Sequence, residues 1–292
     1  MLSLRALCSA VVVTAGTVAG CKPAGDSPDK QASSGGIPDS AGGAPATVNV
    51  MAKDFGFDAP AQFAAGLVTI HLENQGKELH QAQIVRLEDG KTVQDLAAAM
   101  KKHGPTPSWV KFVGGPNGVA QGQQSNATSV LAPGNYAYLC FIPSPDGVIH
   151  AAKGMVQPFE VTASSSAASA ALPESDVTVK LVDYDFQLSK PLTPGKHTVL
   201  VENGGPQPHE VVLLKLAPGK KVEDFAAWAE GGLKGPPPAE PLGGVTVLDK
   251  GGRGSFQVEL STGDYGFICF VPDSKDGKPH LAHGMMKTIR VG

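Results

Sequence analysis

The stretch Pro133-Gly-Asn-Tyr-Ala-Tyr-Leu-Cys140 recurs as Thr262-Gly-Asp-Tyr-Gly-Phe-Ile-Cys269, with the two cysteines 129 residues apart. In each copy a glycine turn opens a run of alternating aromatic and smaller residues that ends at a cysteine. Aromatic side chains at every second position share one face of a β-strand. The stretch therefore predicts a strand that carries a cysteine at its end in each of two related segments.

The repetition extends through most of the chain. Lys53-Asp-Phe-Gly-Phe57 is echoed by Asp183-Tyr-Asp-Phe186, and Leu72-Glu-Asn-Gln-Gly-Lys-Glu-Leu-His80 by Val201-Glu-Asn-Gly-Gly-Pro-Gln-Pro-His209. A short helix-like segment follows in each copy, beginning at Val93 and at Val222. A repeat of this length indicates a duplicated domain rather than a solenoid unit. We predict domains at residues 46–162 and 176–292, joined by an Ala/Ser-rich linker at 163–175.

The composition favours β-structure. Gly (36) and Pro (24) are abundant among the 292 residues while hydrophobic residues still make up 41%, which favours many short strands joined by tight turns over a helical bundle. About seven strands and one short helix in each copy predict an all-β fold of two tandem β-sandwiches. The formal net charge of −3 gives no sign of the basic footprint of a nucleic-acid-binding protein, so nucleic acid is not expected as a partner.

The N-terminus has the pattern of a secretory signal. Arg5 precedes an apolar run at residues 6–19, and Val18-Ala19-Gly20-Cys21 resembles the lipobox of bacterial lipoproteins. We predict a signal peptide at residues 1–20, lipidation of Cys21 and a flexible tether at 21–45. The alternative is an ordinary signal peptide with an incidental cysteine. The expected location is the periplasm or cell envelope with a lipid anchor in the membrane, and Lys22 resembles the default pattern for sorting to the outer membrane.

Only a subset of the eight histidines recurs between the copies. Each recurring pair flanks the recurring cysteine, and a methionine follows the second histidine five residues later. A thiolate, two imidazoles and a thioether form the donor set of a trigonal blue-copper site with a weak axial methionine. The predicted metal ligands are His80, Cys140, His150 and Met155 in the first copy, and His209, Cys269, His280 and Met285 in the second.

Both copies resemble the cupredoxins, the family of plastocyanin and azurin. The segments Asn74-x5-His80 and Asn203-x5-His209 are similar to the family's first-ligand segment. His150-Ala-Ala-Lys-Gly-Met155 and His280-Leu-Ala-His-Gly-Met285 are similar to its closing segment. The resemblance implies two tandem cupredoxin-like Greek-key β-sandwiches, each with a short helix in an inserted segment and one copper ion. It also implies that the second histidine of each site, His150 or His280, is the exit point for the electron if the long loop leaves that histidine exposed.

One feature departs from the family pattern. Nine residues separate Cys140 from His150 and ten separate Cys269 from His280, where familiar cupredoxins have a few. The Asp-Gly pairs at 146–147 and 276–277 favour a tight excursion that returns the histidine to its place. The longer loop could instead leave the histidine mobile or give its position to His283, a possible alternative ligand.

The function implied is single-electron transfer between redox proteins of the cell envelope, without enzymatic activity. The trinuclear copper cluster of multicopper oxidases is typically marked by sets of His-x-His pairs, and this chain has no such pair. The chain also has no nucleophile elbow, phosphate-binding loop or His-Glu-x-x-His helix. Two alternatives stay open: a lipoprotein that carries or sequesters copper, and a metal-free sandwich used for adhesion. Inert core cysteines or a disulfide between Cys140 and Cys269 are further alternatives to metal ligation.

Overall fold

The computed structural model describes residues 45–101, 106–165 and 170–292. The predicted signal peptide, Cys21, most of the predicted tether and part of the predicted linker lie outside the described residues. We call residues 45–165 the first half and residues 170–292 the second half. None of the described helices is long and apolar enough to cross a membrane.

The described part of the first half contains nine strands and one α-helix, all shorter than eleven residues. In chain order they are β1 (Ala46–Lys53), β2 (Gly56–Asp58), β3 (Gln62–Ala64), β4 (Gly66–Asn74), β5 (Gln83–Leu87), α1 (Val93–Met100), β6 (Val110–Phe112), β7 (Gln124–Leu131), β8 (Gly134–Leu139) and β9 (Val156–Thr162). A 3-10 helix, His150–Lys153, precedes β9.

The second half repeats this order with one strand fewer. Its elements are β10 (Val177–Val182), β11 (Asp185–Leu188), β12 (Gly195–Asn203), β13 (His209–Leu216), α2 (Val222–Glu230), β14 (Ala239–Leu248), β15 (Arg253–Leu260), β16 (Gly263–Ile268) and β17 (Met286–Val291). A 3-10 helix, His280–His283, precedes β17.

Each half is a sandwich of two sheets. In the first half β2, β1, β4 and β7 face the sheet of β3, β9, β8, β5 and β6; in the second, β11, β10, β12 and β15 face the sheet of β14, β13, β16 and β17. Strand β4 alternates between buried and half-buried residues along its length, because successive side chains of a strand point to opposite faces. The predicted all-β fold of two tandem sandwiches is confirmed.

The cysteine-bearing strand lies at the centre of each core. Tyr136 and Tyr138 of β8 are buried and stack on Phe159 of β9, with ring centroids 5.4 and 4.2 Å apart. Tyr265 and Phe267 of β16 are buried in the same way. The alternation read from the sequence therefore identifies the inward face of each strand correctly.

The two halves join along the edges of their sheets. Strands β7 and β15 pair at Thr128 and Ser255, so that eight strands form one continuous sheet. The segment 113–119 also lies antiparallel to the end of β14, with Val113 opposite Leu248 and Val119 opposite Leu242. Residues 113 and 119 correspond by the 129-residue repeat to 242 and 248, so this junction has approximate two-fold symmetry.

Buried polar side chains cross the junction. Gln83 accepts a hydrogen bond from the Val247 N–H at 2.8 Å and donates to the Val247 carbonyl at 3.1 Å. The Asn117 amide donates to the Glu210 carboxylate at 3.0 Å, and both side chains are nearly inaccessible to solvent. Because buried polar groups are costly without partners, these bonds fix the register in which the halves meet.

One unmatched histidine has a structural role. His197 on β12 contacts the Asp176 carboxylate, which also accepts from the Thr198 N–H at 2.8 Å. Burial acts to raise the pKa of Asp176, but the hydrogen bonds from His197 and Thr198 outweigh it and hold the pKa below its usual value. The pair ties the start of β10 to β12. His103 lies outside the described residues.

Candidate metal centres

The predicted ligands of the first half converge at one buried point. His80 follows the turn after β4, Cys140 follows β8, and His150 opens the 3-10 helix; all three are fully buried. The Nδ1 atoms of His80 and His150 are 3.1 Å apart, and Cys140 Sγ lies 3.3 Å from His150 Nδ1 and 4.0 Å from His80 Nδ1. Residues separated by up to 70 positions thus present three donor atoms to one small volume.

The second half repeats this cluster. The Nδ1 atoms of His209 and His280 are 3.0 Å apart, and Cys269 Sγ lies 3.5 Å from His280 Nδ1. All three residues are fully buried, and their donor atoms lie within 4.8 Å of one another. Cys140 and Cys269 are both free thiols, so the alternative of a disulfide between them is wrong.

An asparagine positions the first histidine of each cluster. The Asn74 side-chain amide donates to the carbonyls of Glu78 and Val119, both at 2.8 Å, and Asn203 donates in the same way to Gln207 and Leu248. These bonds hold the turn that leads to the histidine against the segment 113–119 in the first half and against the end of β14 in the second. The spacing Asn-x5-His in the sequence therefore has a structural cause, because the amide must reach across the turn that it closes.

The long loops between cysteine and second histidine fold back on themselves. Pro143 is bridged to Ile149, and the Gly147 N–H donates to the Ser144 carbonyl at 2.8 Å. The loop is closed at its base by the bond from the His150 N–H to the Ile142 carbonyl at 3.0 Å. The loop of the second half is closed by the equivalent bond, from the His280 N–H to the Val271 carbonyl at 2.8 Å. The extra residues thus loop out, and the second histidine returns to its cysteine.

His283 lies apart from the second cluster. It is partly exposed, and its Nε2 is 3.2 Å from an Asp276 carboxylate oxygen. His280, and not the alternative ligand His283, lies beside Cys269.

The predicted axial methionines lie beside the clusters. Met155 and Met285 are fully buried. The Met155 N–H donates to the His150 carbonyl at 2.9 Å, and its carbonyl accepts from the Cys140 N–H at 3.4 Å. Gly154 before it has φ 107°, the left-handed conformation that favours glycine. The repeated Gly-Met pair therefore ends the 3-10 helix and turns the chain back against the cysteine.

Carboxylates fix the orientation of the imidazoles. Asp54 lies 3.0 Å from His80 Nε2, Glu78 lies 2.8 Å from His150 Nε2, and Asp183 lies 2.6 Å from His209 Nε2. Because a carboxylate accepts hydrogen bonds, each Nε2 carries the proton and leaves the Nδ1 lone pair free. Such partners orient metal-binding histidines and raise their basicity.

These carboxylates are not among the residues predicted from the sequence. A signal for two of them was present, since Asp54 and Asp183 open the repeated aromatic segments. Glycine is also required here: a Cβ at Gly76 or Gly205 would collide with the imidazole of His80 or His209.

Burial opposes charge on five of the six histidine and cysteine donors before metal binds. It lowers the pKa values of His80 and His209 and lowers that of His280 to about 4. It raises the pKa of Cys140 to about 12 and raises that of Cys269 further. At neutral pH these imidazoles are neutral and each thiol is protonated, so a metal ion must displace the thiol proton.

The donor atoms fit copper. A trigonal plane with metal–nitrogen distances of about 2 Å and a metal–sulfur distance of about 2.3 Å separates its donors by roughly 3.5 to 3.7 Å. The five separations given above, 3.0 to 4.0 Å, lie around those values, and all the donor atoms of each cluster lie within 4.8 Å of one another. Two imidazoles and a thiolate are the donors of copper centres with a weak axial methionine.

The second histidine of each cluster does not reach the surface. His150 and His280 are inaccessible to solvent. Phe55 packs edge-on against His150 at 5.3 Å between ring centroids, and Tyr184 packs against His280 at 5.4 Å. The predicted role of these histidines as electron exit points requires that they be exposed, and both are buried.

Comparisons with known proteins gave matches among solved structures alone. No protein-family model and no curated protein matches this chain. A reduced auracyanin from Roseiflexus castenholzii is 20% identical over 41% of this chain and 99% of its own, with a TM-score of 0.30. An azurin from Methylomonas sp. strain J is 13% identical over 42% of this chain and 100% of its own, with a TM-score of 0.29. A blue copper oxidase from Nitrosomonas europaea is 14% identical over 85% of this chain and 86% of its own, with a TM-score of 0.27.

The prediction that the chain is not an enzyme is corrected by these comparisons. The solved structures that match over most of the chain include multicopper oxidases, which are enzymes. That prediction rested on the lack of His-x-His pairs and of other catalytic motifs, and such a lack does not exclude oxidase activity.

The strand order and the placement of the donors agree in the two halves. Each half has two facing sheets, a cysteine at the end of a central buried strand, one histidine before the next strand and one after the cysteine loop. The chain is a tandem pair of cupredoxin-like β-sandwiches with a donor set for copper in each.

Proposed function

We propose that the chain binds one copper ion in each half and carries single electrons between redox proteins. The proposed ligands are His80, Cys140, His150 and Met155 in the first half, and His209, Cys269, His280 and Met285 in the second. The observation that carries the proposal is the spacing of two imidazole nitrogens and a thiol within each fully buried cluster.

The surrounding residues support electron transfer in particular. When bound, copper supplies a one-electron couple, and its rate of exchange depends on how little the ligands must move. The ligand backbones are held by hydrogen bonds on both sides: the Ala151 N–H donates to the Cys140 carbonyl at 2.8 Å, and His80 pairs with Val119. Imidazole orientation is held by Asp54 and by Glu78. Ligands fixed in this way favour a geometry that serves both oxidation states.

A copper carrier is supported less well. A carrier must release its metal to a partner, which requires ligands that the partner can reach. All six histidine and cysteine donors of the two clusters are inaccessible to solvent. Burial of every strong donor therefore favours retention of the metal during electron exchange.

The proposed location is the cell envelope. The signal-like N-terminus and the lipobox-like segment ending at Cys21 support export and a lipid anchor there. In a bacterial host fed labelled palmitate, we expect label in the wild-type protein and none in Cys21→Ser. Label in both proteins, or in neither, would contradict the proposed anchor.

Electrochemistry tests electron transfer against its alternatives. We expect reversible one-electron waves from the copper-loaded protein, and retention of copper during dialysis against a chelator. Loss of the copper to the chelator without reversible waves would instead support a carrier. Oxygen uptake in the presence of a phenolic substrate would replace the electron carrier with an oxidase. Cys140→Ser and Cys269→Ser serve as matched controls, since each removes the thiolate of one site and leaves the other.

A further inference from the structure

The surroundings of the second histidine differ between the halves. By the repeat, Glu78 corresponds to Gln207, and Phe55 corresponds to Tyr184. The first half therefore places a carboxylate where the second half places an amide. The carboxylate nearest the second histidine of the second half comes from another segment, at Asp273.

In the first half the carboxylate bonds directly to the histidine. Glu78 Oε2 lies 2.8 Å from His150 Nε2, and the carboxylate is 29% exposed while the imidazole is fully buried. With the Nε2 proton donated to Glu78, negative charge lies at the far side of the ring from the donor Nδ1. A carboxylate in this position makes the imidazole a stronger electron donor.

In the second half the carboxylate is bonded to other groups. Asp273 Oδ2 accepts from the Tyr184 hydroxyl at 2.5 Å and from the Gln207 amide at 2.9 Å, while Oδ1 accepts from the Lys275 N–H at 2.7 Å. His280 Nε2 is 3.9 Å from Asp273 and has no hydrogen-bond partner among the described residues. The second histidine of this half therefore lacks the direct bond that Glu78 gives to His150.

The first histidines do not offset this difference. His80 Nε2 is bonded to Asp54 and His209 Nε2 to Asp183, at the same position of the repeat. The direct hydrogen bonds to the two clusters thus differ at the second histidine, where the first half has one more.

We infer that Glu78 is a positioning residue that makes the two copper sites unequal, with the first site at the lower reduction potential. A more basic imidazole stabilises Cu(II) more than Cu(I), because the ion of higher charge gains more from electron donation. An electron that enters a chain with both sites filled therefore resides at the second site. In the transfer, Cu(I) of the first half is oxidised to Cu(II) while Cu(II) of the second half is reduced to Cu(I), and no proton or bond is exchanged.

A bonded route joins the two sites. His80 pairs through its backbone with Val119, two residues from Asn117. Asn117 donates to Glu210, which follows His209 in the chain and accepts from the Phe270 N–H beside Cys269. This route lets the unequal potentials set a direction within one chain, from the first half to the second.

The test measures the potential of each site alone. Cys269→Ser leaves the first site and Cys140→Ser leaves the second, so redox titration followed by visible absorption reports one site at a time. We expect the lower potential at the first site. Glu78→Gln should raise that potential and weaken Cu(II) binding there 10- to 100-fold, the loss typical of such partners. Cu(I) binding should change much less.

Two further variants separate tuning from structural damage. Gln207→Glu should lower the potential of the second site, and Glu160→Gln, which alters an exposed carboxylate on β9, should change neither site. Equal potentials in the unaltered chain, or a Glu78→Gln variant with an unchanged potential, would overturn the inference. The inference rests on the proposed function, but absence of copper binding at both sites would refute that function instead and is recognised by metal analysis before any titration.

Discussion

Replacing Asn117 with alanine is expected to weaken the junction between the two halves. The Asn117 amide donates to Glu210 at 3.0 Å and to the Val211 carbonyl at 3.2 Å, and its oxygen accepts from the Gly118 N–H at 2.8 Å. The alanine variant would leave the buried Glu210 side chain with one remaining donor, the Phe270 N–H.

The expected loss follows from the burial of both groups. A hydrogen bond to a charged group contributes about 1.5–3 kcal/mol, and a buried acceptor that loses its partner costs about 1–3 kcal/mol. Together the two contributions come to about 2.5–6 kcal/mol. Burial raises the pKa of Glu210, which reduces the charged fraction of this carboxyl and favours the lower part of that combined range. We expect a loss of about 3 kcal/mol in the free energy of unfolding at pH 7.

The control is an asparagine at the same junction that is only half-buried. Asn126 donates to the Gln257 carbonyl at 2.9 Å and accepts from the Gln257 N–H at 2.8 Å. Because water replaces these bonds, Asn126→Ala should cost less than about 1 kcal/mol. Urea unfolding of the metal-free protein, followed by tryptophan fluorescence, suits the comparison because Trp109 and Trp228 report on different halves. An Asn117→Ala variant that loses no more stability than Asn126→Ala would refute this account of the junction.

Three further predictions concern buried groups. Tyr138→Phe should leave the stability in thermal unfolding unchanged or raise it by up to about 1 kcal/mol, because the hydroxyl has no partner among the described residues. Tyr136→Phe should lose about 1 kcal/mol, because it loses the hydrogen bond from the hydroxyl to the Ala132 carbonyl. Equal losses in the two variants would contradict this prediction. Asp176→Asn should be less stable than wild type at neutral pH, with the difference vanishing as the pH falls below about 3.8 and the wild-type carboxyl protonates at its lowered pKa; a difference independent of pH would contradict it. Cu(II) binding at pH 8 should release about one proton per site, because burial keeps the Cys140 and Cys269 thiols protonated until the metal binds. Calorimetry in buffers of different ionisation enthalpy measures this release. Copper binding without proton release would show that the thiols are not ligands.

Much of the fold could be predicted because the repeat exposes local patterns. Tyr136 and Tyr138 alternate with small residues, and a strand can bury them on one face only in that register. The clusters could be predicted because the same histidines and cysteine recur in both copies, and a duplicated segment keeps the buried side chains of its core. The domain boundaries at residues 162 and 176 stay a prediction.

The features missed depend on contacts between distant segments. Glu78 and Asp54 reach the imidazoles through turns whose shape the composition does not specify. Pairing of β7 with β15 depends on which sheet edges lie open after each half has folded. Burial of His150 depends on Phe55, which lies in the turn between β1 and β2 and packs against the imidazole. Apart from Asp54, which recurs as Asp183, none of these contacts leaves a signal in the sequence pattern.

Visible absorption and metal content, followed during titration with Cu(II), show most directly whether each half forms a copper–thiolate site. The sample is the protein made without its lipid, from Lys22 onward. We expect an intense thiolate-to-copper band that grows until two coppers are bound per chain, and we expect Cys140→Ser and Cys269→Ser each to saturate at one copper. A colourless protein, or one whose colour survives the loss of both cysteines, would contradict this expectation.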